Sequence, residues 1–177
     1  LRGLGLSIGV LNIVWGINAI VIPLVVLQRL HGGPALVGLL FAAQGLGGVV
    51  SSVLAGRIDT RGREHGMIVY PMIGSAVLLL LLLPDAGLLP VLAALVLFGV
   101  LNGPLDVAMF TTRQRRTDPA WMGRAFAVSM SFNFLGFPIG TGLGGIVANQ
   151  SIDGAIVIEI GACVIAAVAA QLLIPFD

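Results

Sequence analysis

The sequence predicts an all-α, polytopic membrane protein of six transmembrane helices, and three observations predict it. Six long apolar stretches follow one another with only short polar breaks between them. Hydrophobic residues make up 58% of the chain and charged residues 10%, more apolar surface than a water-soluble globule of 177 residues could hide. The arginines gather on one side of the zigzag that the stretches would trace across a bilayer. The lipid bilayer, rather than a protein core, must therefore cover most of the apolar surface.

The hydrocarbon core is roughly 30 Å thick and an α-helix rises about 1.5 Å per residue, so each span needs on the order of 20 apolar residues. The spans read from the sequence are 4–27, 34–56, 66–83, 88–112, 123–148 and 154–174, together one bundle over 1–177. The first is closed by Arg29-Leu-His-Gly-Gly-Pro34, the second by the arginine-rich 57–65 and the third by Pro84-Asp-Ala-Gly87. The fourth is closed by the arginine-rich 113–122 and the fifth by Asn149-Gln-Ser-Ile-Asp153. Each break is short and carries turn-forming residues.

Charge sets the expected orientation. Arg2 precedes the first span, Arg57, Arg61 and Arg63 lie between the second and third, and Arg113, Arg115, Arg116 and Arg124 lie between the fourth and fifth; Arg29 alone falls on the other side. The positive-inside rule then places both termini and the two long loops in the cytoplasm of a multi-pass protein of the cell's inner (plasma) membrane. Topology and anionic lipid account for these arginines, so no nucleic-acid partner is expected. The chain opens at Leu1 with no basic n-region or cleavage site, so the start reads as a cut rather than a signal peptide. The single Cys163 excludes an intrachain disulfide and a cysteine-built metal site. His31 and His65 lack the companions a metal site needs and read as solvated loop residues. No phosphate-binding glycine loop, nucleophile elbow or zinc-protease helix appears, so neither cofactor nor metal nor enzymatic activity is expected.

Glycine, proline and polar residues inside spans mark places where another helix or a water-filled path covers the backbone. In the fifth span Gly136, Gly140, Gly144 and Ala148 recur at four-residue spacing, a ridge of small residues that lets a neighbouring backbone approach closely, either as static packing or as a moving seam. The second span offers a less regular surface in Gly38, Gly45, Gly47 and Gly48, with Gln44 beside it. In the fourth span Asp106 sits roughly 10 Å from the cytoplasmic helix end, with Asn102 one turn before it and Arg113 two turns after, all on one face. Pro104 leaves the carbonyl of Val100 without its usual donor and weakens the helix there. Two readings of Asp106 stand: a group that takes up a proton or meets a cationic substrate, or one that pairs with an arginine and fixes the helix. Asn12, Trp15 and Asn18 in the first span and Ser129 and Asn133 in the fifth could line a polar path, although Asn12 and Asn18 do not share a face. Glu159 lies near the outer end of the sixth span and reads as snorkelling to the headgroups. The third span, almost wholly apolar, reads as facing lipid at the periphery.

The loop after the second span, Ala55-Gly-Arg-Ile-Asp59-Thr-Arg-Gly62-Arg63-Glu, resembles the Asp-Arg-x-Gly-Arg signature that joins the second and third helices of each half of major facilitator superfamily transporters. Asp59, Gly62 and Arg63 match; Thr60 replaces the first arginine, Ala55 a glycine, and Glu64 stands where a further base is common. After the fourth span, Asn102-Gly-Pro-Leu-Asp106, Gln114-Arg-Arg-Thr-Asp-Pro119 and Gly123-Arg124-Ala-Phe look like the tenth helix, loop and eleventh-helix start of bacterial exporters in that superfamily. The resemblance implies the carboxy-terminal half of a twelve-helix carrier working by alternating access, with a gating loop at Asp59, Gly62, Arg63, Arg113 and Arg124. It also implies that the first, second, fourth and fifth spans border a central cavity, and the polar residues inside those spans, Asp106, Asn102, Asn12, Asn18, Gln44 and Asn133, are the expected substrate and proton pathway.

The expected function is therefore secondary active transport, export of a small organic compound driven by proton antiport. The expected partners are the amino-terminal half or a second copy of the chain, the bilayer and the small-molecule substrate. A half carrier alone lacks the opposing wall of the cavity and should not transport. The alternative is a non-transporting six-helix scaffold or assembly subunit whose glycine ridge on the fifth span binds a partner.

Overall fold

The structure, a computed structural model, describes residues 2–83 and 87–174, so most of the expected turn at 84–87 lies outside the described residues. Helix α1 covers Arg2–Leu24 and runs on through a π-helical turn, Val25–Arg29; α2 is Pro34–Ala55; α3 is Glu64–Leu79 with a 3-10 turn at Leu80–Leu82. Helix α4 is Leu88–Arg115, a 3-10 turn at Pro119–Trp121 leads into α5 at Met122–Ala148, and α6 is Ile152–Leu173. All six are long and apolar enough to cross a membrane.

Local chemistry explains the helix ends. Pro34 opens α2 at a position where its missing N–H costs nothing. The Ser151 hydroxyl accepts from the backbone N–H of Gly154 at 3.0 Å and caps α6. Gly62 adopts φ 70°, a left-handed conformation that a side chain would resist, and turns the chain into α3. Helix α4 runs three residues past the expected end of its span, through Pro104 without interruption, and closes on Arg113 and Arg115. Cations in a last turn complement the carbonyl end of the helix dipole, so these arginines extend the helix instead of opening the loop.

The helices form a half-ring in the order α5, α1, α6, α3, α4, α2: α1 packs along α5, α2 along α4, and α6 and α3 pack on each other behind them. Both front pairs are small-residue seams. The buried residues of α5 are Asn133, Gly136, Gly140, Gly144 and Ala148. A methyl group added at Gly136 would run into the Gly9 carbonyl, one at Gly140 into the Ile13 carbonyl, and one at Gly16 into the Phe137 carbonyl. Across the other seam, Gly99 lies against the Gln44 carbonyl and Gly103 against Ser51 and Ser52, while Gly47 lies under Val96. Of the small surface expected on α2, Gly47 and Gly48 are used; Gly38 and Gly45 face open space.

Helix α3 is peripheral but two-faced. Tyr70, Ile73, Val77 and Leu80 form an exposed stripe, whereas Ile68, Met72, Ala76 and Leu79 are buried against α4 and α6. The exposed stripe agrees with the expected peripheral position, and the opposite face is covered by the bundle. Polar clasps close the two ends of the bundle. At one end Arg29 donates to the carbonyls of Leu82 (2.8 Å) and Leu83 (3.3 Å) and pairs with Asp153 at 2.6 Å, tying α1, α3 and α6. At the other, the arginine-rich end, Arg115 pairs with Glu64 and joins α4 to α3.

Candidate functional site

An apolar groove of about 830 Å³ runs along the front of the α1–α5 seam toward the arginine-rich end. Small residues on α1, Gly5 and Gly9, make its floor shallow, and exposed α5 side chains such as Val128, Phe132, Leu135 and Ile139 form its wall. At its polar end stand Arg2, Arg113 and Arg124, with Thr117 and Trp121 between them. The Arg124 guanidinium lies 5.1 Å from the centre of the Trp121 ring, a cation–π distance. Phe126, on the same wall, stacks on Phe110 of α4 at 6.4 Å. Among the described residues no aspartate or glutamate lines the groove.

Arg113 is the least expected member. It is 1% exposed, yet its Nε and Nη2 have no hydrogen-bond partner, and Nη1 donates only to the Met130 sulfur at 3.3 Å. The residue belongs to α4 and not to the following loop, because the helix continues to Arg115. Its placement in a gating loop is corrected accordingly. The other expected loop residues stay in their loop: Asp59 accepts from the backbone N–H of Arg61 at 3.1 Å, and Arg63 is exposed before α3. Two of the three departures from the signature act together, since the Thr60 hydroxyl donates to Glu64 at 3.4 Å and Glu64 holds Arg115. His65 is half-buried in the first turn of α3 and is not a solvated loop residue.

The structure scatters the expected polar path. Asn102 Nδ2 donates to Asp106 Oδ2 at 2.8 Å, one turn along α4, and both are half-buried. Asp106 makes no ion pair with Arg113, whose guanidinium turns to Met130 instead. Asn12 donates back to the Ile8 carbonyl of its own helix at 3.0 Å. Gln44 is buried in the α2–α4 seam, and Asn133 is buried against Met109 of α4 at 3.8 Å. Of the residues expected at the site, the groove gathers Arg113, Arg124, Ser129 and Gly136. Arg2 and Trp121 are members that sequence reasoning missed; a tryptophan three residues before an arginine at a helix start was the available signal.

Asn18 faces a different neighbour. Glu159 is fully buried in α6, and Asn18, 1% exposed in α1, lies beside its carboxyl, yet the polar atoms of both side chains are without a hydrogen-bond partner. The expectation that Glu159 snorkels to the surface is overturned. Glu159 belongs to a stripe of Ala155, Ala162, Ala166 and Ala170, small side chains that let α1 and α3 close over it. Replacing both polar residues by apolar ones, Asn18→Leu with Glu159→Met, is expected to be near-neutral or stabilising in detergent unfolding titrations.

Comparison with known proteins places this architecture. The family model described as Major Facilitator Superfamily matches residues 4–177. The chain is 37% identical over 179 aligned residues to an uncharacterized MFS-type transporter, y4rN, of Sinorhizobium fredii (strain NBRC 101917 / NGR234); the match covers 100% of this chain and 44% of that protein. The chain thus spans less than half the length of the curated relative it matches. No solved structure matches it. A six-helix bundle with small-residue seams, a one-sided groove and a family match over nearly its whole length leads to one assignment: the chain belongs to the Major Facilitator Superfamily of membrane transporters.

Proposed function

We propose that the chain is the carboxy-terminal half of a secondary active carrier that exports a small organic compound by alternating access, coupled to protons. The observation that carries this reading is the groove: a mostly apolar cavity of about 830 Å³ on the front of the bundle, of a size suited to a small organic ligand. The back of the bundle is occupied by α3 and α6, so an opposing half would meet the α1–α5 and α2–α4 front. In this reading the second half supplies the missing wall, and the glycine seams allow the two front pairs to rock. The arginine-rich end, with both chain ends and the 57–65 and 116–121 connections, lies in the cytoplasm of a cell whose inner membrane the protein crosses.

The scaffold alternative loses its specific support, because the glycine ridge of α5 is filled by α1 of the same chain and is not free to bind a partner. The carrier reading is tested in proteoliposomes holding the intact protein, where an imposed pH gradient should drive accumulation of candidate organic compounds against their own gradient. No accumulation of any compound under either gradient polarity would reject it. Orientation is checked separately with Arg63→Cys. The native Cys163 is buried, so a membrane-impermeant maleimide should label the new thiol in inside-out vesicles and not in intact cells.

A further inference from the structure

We propose that the groove selects an amphipathic anion, its acidic group held by Arg113 and the rim arginines and its apolar body laid along α5. The inference deepens the carrier reading and rests on it. Three guanidiniums and no carboxylate line one end of an otherwise apolar groove. Arg2 and Arg124 are exposed at the rim, but Arg113 is buried with two of its nitrogens unsatisfied. A buried cation left without a counter-ion is costly, and a thioether is a weak acceptor, so the Met130 contact does not replace one. An acidic group that displaced the Met130 sulfur would supply the missing acceptors, and the fork of Arg113 suits carboxylate, sulfonate or phosphate. Asp106, two turns away on the same helix, is engaged by Asn102 and does not fill this role.

The groove also sets the shape of the ligand. From Arg124 to Ile139 along α5 is 15 residues, roughly 20 Å of helix, so a single charged head and an extended apolar tail fit end to end. Such chemistry could come from a dissolved organic acid or from the headgroup and chain of an anionic lipid.

The test uses the intact protein in phosphatidylcholine nanodiscs, with empty discs measuring simple partition. Equilibrium dialysis at about pH 8, where a free carboxylic acid is ionised, compares decanoate with decyltrimethylammonium, an amphipath of equal length and opposite charge. Decanoate is expected to bind saturably and at least about tenfold more tightly than the cation, and Arg113→Gln to lower its affinity about thirtyfold while leaving the cation unchanged. Added phosphatidylglycerol separates the sources: competition with decanoate identifies a lipid occupant and its absence a dissolved acid, and either supports an anion site. Equal binding of the two amphipaths, or unchanged decanoate affinity in a monodisperse Arg113→Gln protein, would overturn the proposal. If Arg113→Gln does not fold, the doubly substituted Arg2→Gln, Arg124→Gln protein, altered only at exposed rim positions, must lose part of the charge preference, and an undiminished preference overturns it. The two readings fail separately. A protein that accumulates compounds under a pH gradient without preferring anions remains a carrier and loses this site, whereas one that binds decanoate but moves nothing keeps the site and is not a carrier.

Discussion

Gly140→Leu is expected to separate α1 from α5 and to prevent the bundle from assembling. The α carbon of Gly140 lies so close to the Ile13 carbonyl that even one added carbon would collide with backbone, and on the facing helix Gly16 meets the backbone of Phe137, Gly140 and Thr141 in the same way. Overpacking a flexible core costs typically about 1–3 kcal/mol because side chains yield. Here the opposing atoms belong to helix backbone, so relief requires the helices to move apart along the whole seam. In lipid there is no hydrophobic drive to hold them; close van der Waals contact between small residues does most of that work. The loss should therefore exceed the usual range and appear as failure to recover monodisperse protein in detergent. Gly142→Leu is the control: it lies two residues away on α5 at an exposed position where an added carbon meets nothing within 4 Å, and it should behave as the parent. A Gly140→Leu protein as stable as the parent would show that the seam is not close-packed in the membrane.

These contrasts also show what the sequence could and could not disclose. Spans were legible because hydrocarbon thickness fixes their length: the 88–112 span begins where α4 begins, and the 123–148 span differs from Met122–Ala148 by one residue. Pairing was less legible. A helix in lipid is apolar on every side, so hydrophobic periodicity does not mark the face that meets a neighbour, and only small or polar residues do. The Gly136, Gly140, Gly144 ridge carried that mark on α5 and proved to be the buried face. Gly99 and Gly103 carry the same mark on α4, but there the small residues stand beside Pro104 and Asp106, whose kink and charge point equally to a water-filled path. Glu159 was misread for a related reason: depth alone suggested the headgroups, whereas the alanine stripe around it made a face that α1 and α3 could cover. Arg113 was misread because arginine after an apolar stretch suggests a loop, although it is also the residue type that a helix C-terminus favours. That two of its nitrogens lack partners is a fact of tertiary packing, and no local pattern could have shown it.

Asp106→Asn is expected to abolish transport driven by a pH gradient in the intact protein while leaving exchange of substrate for substrate intact. The side chain is half-buried in a membrane-spanning helix, it has no arginine partner, and its contact is a neutral amide, Asn102, at 2.8 Å. A carboxyl in that setting can gain and lose a proton without breaking an ion pair, whereas one locked to a guanidinium could not do so cheaply. The absence of an Asp106–Arg113 pair thus favours the proton-carrying reading over the structural one. Asparagine keeps the size and the hydrogen-bonding reach of the side chain but cannot carry a proton, so the helix should survive and coupling should not. The check is a pair of proteoliposome assays on one preparation. Uptake driven by the pH gradient should fall to the level of empty liposomes, and counterflow with substrate on both sides should remain within about twofold of the parent. Unchanged gradient-driven uptake with unchanged pH dependence would remove Asp106 from the coupling path. Loss of both activities in a protein that still purifies as a single species would give the carboxylate a part in the substrate site or in rocking, because counterflow needs both and needs no net proton movement.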